Sequence, residues 1–160
     1  MSRESIKMDT IMPVVDSWNM VKKLDPSWSE NFGVLVFQKL LKASPLSLTL
    51  LLPFATDGEK ILENDTQFKA VAAETAYMVD FIVSSLGTDM DIVKMQLEET
   101  FAAHENFKRV RPEHWTLMGK AMLEALGETL GDRFNSNMAD CWAHACDSVS
   151  FIITEEIMAQ

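Results

Sequence analysis

Six stretches of this chain repeat apolar residues at spacings of three and four, and most of its few glycines and prolines fall between them. Each residue of an α-helix turns the chain by about 100°, so this spacing keeps side chains on one helical face. The first stretch begins near Asp9 and carries Met12, Val15, Trp18 and Val21, with Pro13 placed in its first turn, where a missing N–H is tolerated. After Asp25-Pro26-Ser27, a second opens about Ser29 and carries Phe32, Leu35, Val36, Leu40 and Leu41. Gly33 marks a side of it where another helix can come close. Ser44-Pro45 ends it, because the residue before a proline avoids the helical region. Leu46 to Leu52 reads as one or two apolar turns, and Ala55 to Asp65 as a polar connection. The third stretch runs from about Thr66 to Leu86 through Phe68, Ala72, Thr75, Val79, Ile82 and Val83, and Gly87 stops it. Asp89 starts the fourth, through Ile92, Val93, Leu97, Phe101 and His104. A basic loop, Asn106 to Arg111, precedes the fifth, which opens on Pro112-Glu113 and carries Leu117, Met118, Ala121, Met122 and Ala125 to about Leu130. The sixth covers about Asn137 to Met158, with Trp142, Ala145, Val149 and Ile152 or Ile153 inward.

No segment alternates as a strand would. The expected class is therefore all-α, with six long helices and one or two short ones. Their unequal lengths argue for pairwise ridge-into-groove packing rather than a symmetric four-helix bundle. A chain of 160 residues, 48% apolar, reads as a single domain, residues 1–8 being a loosely ordered extension. With 24 acidic against 14 basic residues, the net charge of −10 argues against a nucleic-acid partner and against an anionic membrane surface. No apolar run reaches the ~18 residues of a membrane span. The polar N-terminus does not read as a signal peptide. Cys141 and Cys146 lie five apart in one helix, giving neither a CxxC site nor a disulfide framework. They read as reduced thiols, which places the chain in the cytoplasm.

Three histidines are available for chemistry. His104 is on the apolar side of its helix, four residues after Thr100 and seven after Leu97. On spacing alone it is a packed core histidine, with ligation the minority reading. His114 suits a helix cap and His144 a partly exposed face. No two of them stand at i, i+3 or i, i+4, so a zinc or di-metal site is not indicated.

The order of local motifs carries more. The run TFAAHENFKRVRPEHWTLMGKAMLEALGETL, Thr100 to Leu130, resembles the proximal segment of single-domain globins: a histidine closing one helix, a short loop, a Pro-Glu-His-aromatic start, then a long helix. Gly131-Asp132-Arg133-Phe134 and Trp142 are similar to the segment that follows in that family. Upstream, Val15 with Ser17-Trp18, Gly33 to Phe37, Leu41 to Pro45, and Asn64 to Ala70 resemble its first helix, its second, the start of its third and its distal helix. The likeness spans roughly Val14 to Ile157.

The resemblance implies a globin fold of six to eight helices around a pocket for haem b (iron protoporphyrin IX), with His104 as the proximal iron ligand. A ligating imidazole needs its other nitrogen oriented by an acceptor, and the carbonyl or hydroxyl of Thr100, one turn back, suits that role. On the distal side, the likeness places Val71 where the family usually has histidine or glutamine. Thr75 takes the place of an apolar residue, and Phe37 the place of a tyrosine found in some members. Either Leu51 or Phe54 stands for the phenylalanine that stacks on the porphyrin, Phe54 being slightly preferred. Phe107, Val110 and Leu117 complete the expected haem contacts. Lys108, Arg109 or Arg111 would pair a propionate, or form a solvated basic loop.

The function implied is reversible binding of a diatomic gas (oxygen, nitric oxide or carbon monoxide) for storage, transport or scavenging. A distal wall without a strong donor weakens preference for oxygen. The alternatives are nitric-oxide dioxygenation or peroxidase activity, which would need an external reductase since no Gly-rich dinucleotide motif is present, and a sensor module. Met78, two turns after Val71, is a minor candidate for a second axial ligand. Homo-oligomerisation stays open.

Overall fold

In a computed structural model, residues 6–44, 66–103 and 111–158 are described, the side chain of Gln67 excepted. They form six α-helices: α1 Met8–Leu24, α2 Trp28–Ala43, α3 Thr66–Ser85, α4 Met90–Ala103, α5 Pro112–Leu130 and α6 Ser136–Phe151. A 3₁₀ turn, Gly131–Arg133, joins the last two, and α6 runs on as a π-helical turn, Ile152–Ile157. No strand occurs among the described residues. The short turns expected at 46–52 and the connection at 55–65 lie outside them.

Local chemistry sets several of these boundaries. Pro112 opens α5 with a residue that has no N–H to satisfy. His114 Nδ1 accepts the Arg111 N–H at 3.0 Å, a capping role. Asn135 caps α6 by accepting the Met138 N–H at 2.9 Å. Gly131, at φ +59°, supplies the turn after α5 that a side chain would strain.

α2 crosses both α3 and α5, α1 lies along α6, α5 packs on α6, and the π turn rests against α4. The α2–α3 crossing is close because Gly33 has no side chain: a Cβ there would fall onto the backbone carbonyl of Ala72. The core centres on Trp18, whose ring meets Trp28, Phe32 and Trp142 edge-on at centroid distances of 5.6, 5.2 and 6.1 Å. Its indole N–H donates to Asp80 Oδ1 at 2.8 Å, tying α1 to α3. Trp142 donates to the buried Ser17 hydroxyl at 2.7 Å, tying α6 to α1. Ser17 in turn donates to the Pro13 carbonyl.

Pro13 is the sixth residue of α1, beyond the first turn in which it was expected. It cannot donate to the Asp9 carbonyl one turn back. The Cys141 thiol approaches that oxygen instead, at 3.8 Å.

Four details differ from expectation. Met12 and Ile92, expected on apolar faces, are exposed. Met12 is nine residues from Val21, about 180° round the helix, because steps of three drift. Val93, Leu97 and Phe101 recur every four residues and define the buried side of α4, which leaves Ile92 outside. In the expected loose extension, Ile6 is buried and Met8 already begins α1. The last helix gives way to π geometry at Ile152, where the Met158 N–H donates to the Ile153 carbonyl.

Candidate functional site

A cavity of about 490 Å³ is bounded by side chains of α2 to α6 and the π turn. α2 contributes Phe37, which is held by an edge contact with Phe68 at 5.5 Å. α3 contributes Val71, Thr75, Met78, Val79 and Ile82, the side of that helix left half-covered by the other helices, together with the buried Val83. From α4 come Gln96, Leu97, Thr100 and Phe101, and from α5 Trp115, Met118, Gly119 and Met122. Trp142, Ala145, Cys146 and Val149 close it from α6. The walls are mostly hydrocarbon, indole and sulfur.

Of the residues expected at a site, Phe37, Val71, Thr75 and Thr100 line this cavity together. Leu117 packs against the core, and its neighbour Met118 faces the cavity instead. Met78 also lines it. Leu51, Phe54, His104, Phe107 and Val110 lie outside the described residues, as do Lys108 and Arg109. Arg111 is exposed.

Two hydroxyls on the wall, those of Thr75 and Thr100, point their protons along their own helices. Thr75 donates to the Val71 carbonyl at 3.0 Å, and Thr100 to the Gln96 carbonyl at 2.9 Å. The Thr75 proton is therefore engaged away from the cavity. The Thr100 oxygen turns only its lone pairs toward any further donor.

Cys146 sits against Gly119, whose missing side chain makes room for it. It is partly buried and lines the cavity. Burial, helped by the carboxylate of Asp147, pushes its thiol up to about 12. It stays neutral and acts as a small apolar surface.

Sequence reasoning missed Gln96, Trp115, Met122 and Cys146 as wall residues. The signal was present for α6: the inward stripe of Trp142, Ala145 and Val149 brackets Cys146, but a core stripe and a cavity stripe read alike.

Comparisons with known proteins agree with this architecture. Residues 34–153 match the model of the Globin family. The chain is 24% identical to an anaerobic nitrite reductase of Arabidopsis thaliana over 145 residues, 90% of this chain and 89% of that protein. It is 25% identical to an anaerobic nitrite reductase of Solanum lycopersicum over 149 residues, 92% of each. To an anaerobic nitrite reductase of Gossypium hirsutum it is 26% identical over 148 residues, 91% of this chain and 87% of the relative.

Proposed function

The chain belongs to the globin family, and from that membership we propose that its cavity holds haem b, with His104 as the iron's protein ligand. The function is reversible binding of a diatomic gas. Haem supplies an iron that takes up such a molecule, within a ring that is apolar except for its propionates.

The observation that carries this reading is the cavity, whose size and hydrocarbon walls suit a flat apolar ring. α3 offers Val71 and Thr75 to it, and α4 offers Leu97, Thr100 and Phe101. His104 follows Ala103, the last residue of α4, four positions after Thr100 in the sequence. The Thr100 oxygen orients the imidazole by accepting its second N–H. Phe37, Val71 and Leu97 exclude water. Lys108, Arg109 or Arg111 pairs a propionate.

Neither Val71 nor Thr75 offers a hydrogen-bond donor, since the Thr75 proton is held by the Val71 carbonyl. Dioxygen gains from a donor, whereas carbon monoxide and nitric oxide gain much less. One such bond contributes about 1.5–3 kcal/mol, roughly ten- to a hundredfold in affinity. The protein therefore discriminates weakly in favour of oxygen. Val71→His slows oxygen release by about that factor in stopped-flow displacement, and leaves carbon monoxide release less changed. An unchanged oxygen off-rate would refute the role given to Val71.

The names of the plant relatives favour a second reading, anaerobic nitrite reduction. It calls for an external electron donor, a reductase partner in the cell. Anaerobic nitrite consumption by the reduced protein separates the two readings: turnover with a reductant supports the second, and an inert mixture leaves gas binding alone.

A further inference from the structure

Four large aromatic rings run in contact from the inner cavity wall to the surface. Trp142 bounds the cavity and is buried. Its centroid lies 6.1 Å from that of Trp18, Trp18 lies 5.6 Å from Trp28, and Trp28 lies 5.3 Å from Tyr77. All three pairs meet edge to face, within the range of touching rings. Tyr77 is 57% exposed and is the sole tyrosine of the chain.

We propose that this series is an oxidation relay, in which a one-electron oxidant generated in the cavity by a hydroperoxide draws an electron from Trp142 and the vacancy passes through Trp18 and Trp28 to Tyr77. The proposal rests on the reading that haem, the group at which a hydroperoxide is reduced, occupies the cavity.

Hydrogen bonding gives the relay a direction. Trp142 donates its N–H to a neutral hydroxyl, that of Ser17. Trp18 donates its N–H to the carboxylate of Asp80. Lys22 shares that carboxylate, so the net pull of charge on a cation is small; Trp18 is favoured over Trp142 because a carboxylate takes the N–H proton of an oxidised indole more readily than the Ser17 hydroxyl does. Lys22 binds the same Asp80 oxygen at 2.9 Å and stands 6.0 Å from the Trp28 centroid. Its charge disfavours a cation resting on Trp28, which is a passing station. Tyr77 ends the series because its exposed phenol can release a proton to water as it loses the electron.

The balance closes over two passages. One hydroperoxide takes two electrons and two protons and becomes an alcohol and water. Two Tyr77 phenols each give one electron and one proton and become neutral tyrosyl radicals. A thiol or enediol reductant in solution returns an electron and a proton to each. Without one, two radicals couple carbon to carbon across two molecules. The relay spares Met78, Met118, Met122 and Cys146, the sulfur side chains on the same cavity wall.

Tyr77 also borders the outer edge of the cavity, so direct oxidation is the competing route. The test is electron paramagnetic resonance of the haem-loaded protein, mixed with hydrogen peroxide and frozen. A tyrosyl signal is expected in the wild type and none in Tyr77→Phe. Trp28→Leu and the ring-conserving Trp28→Phe should each lower the tyrosyl yield severalfold and leave a tryptophanyl signal. A haem-loaded wild type without a tyrosyl radical would overturn the relay, as would full yield in both Trp28 variants. A Soret band recorded beforehand reports the haem reading separately. Should haem not bind, azide radicals from pulse radiolysis oxidise indoles without it. Tryptophanyl absorption that then decays into tyrosyl in the wild type, but not in Trp28→Phe, supports the ring series; its failure to do so overturns it.

Discussion

Gly33→Ala tests the crossing that positions Val71 and Thr75. The added Cβ would overlap the Ala72 carbonyl, and both partners are backbone, so neither can swing aside. Overpacking a tight interior costs about 1–3 kcal/mol, and a backbone clash belongs at the upper end. Alanine returns about 1 kcal/mol over glycine as a helix former. The net loss is then about 2 kcal/mol, and at about 2–4 °C per kcal/mol for a chain of this size the Tm falls by about 4–8 °C. Because Ala72 adjoins Val71, relief of the clash also moves the cavity wall. Urea unfolding of the ligand-free, haem-loaded protein by far-ultraviolet circular dichroism measures the first effect, and carbon monoxide rebinding after photolysis measures the second. A variant as stable as the wild type, or more stable, with unaltered rebinding, would show that helix propensity alone acts and that α2 and α3 are not in backbone contact.

Two further perturbations read other parts of the fold. Ser17→Ala strips the acceptor from the buried Trp142 N–H and should cost about 1–3 kcal/mol in the same unfolding assay. Cys146 holds its proton to about 12, above the ordinary value of 9.0 that the unfolded chain regains. Between those two values the unfolded state has lost the proton and the folded state has kept it, so stability falls as pH rises through that window. Cys146→Ala should flatten that alkaline slope by up to one proton, and alkylation of Cys146 in the folded protein at neutral pH should be slow against the unfolded chain.

Much of the architecture was legible because the helical period is a property of neighbours along the chain. Pro45, Gly87, Pro112 and Gly131 punctuate it for local steric reasons, and Gly33 announced a close crossing. Faces were less secure: stepping by threes carried Met12 to the wrong side of α1, and Ile92 and Val93 differ by only one residue. Burial in α3 was partly misread for another reason. Thr75, Val79 and Ile82 are half-covered by other helices and face the cavity, a distinction that depends on where α4 and α6 lie. The same holds for Cys146, whose raised thiol follows from the helices around it. Proximity across the fold, such as Trp18 to Asp80 or Cys141 to the Asp9 carbonyl, leaves no trace in local spacing. His104 was singled out by the order of motifs around it, since its own spacing favours a core histidine.

The proposed gas binding rests on His104 as the ligand of a bound haem, and the visible absorption spectrum tests both directly. The purified protein, supplied with haem, should show a Soret band that shifts on reduction and again with carbon monoxide. His104→Gly should lose that spectrum, and added imidazole should restore it. A wild type that takes up no haem, or a His104→Gly variant with an unaltered spectrum, would contradict the central claim.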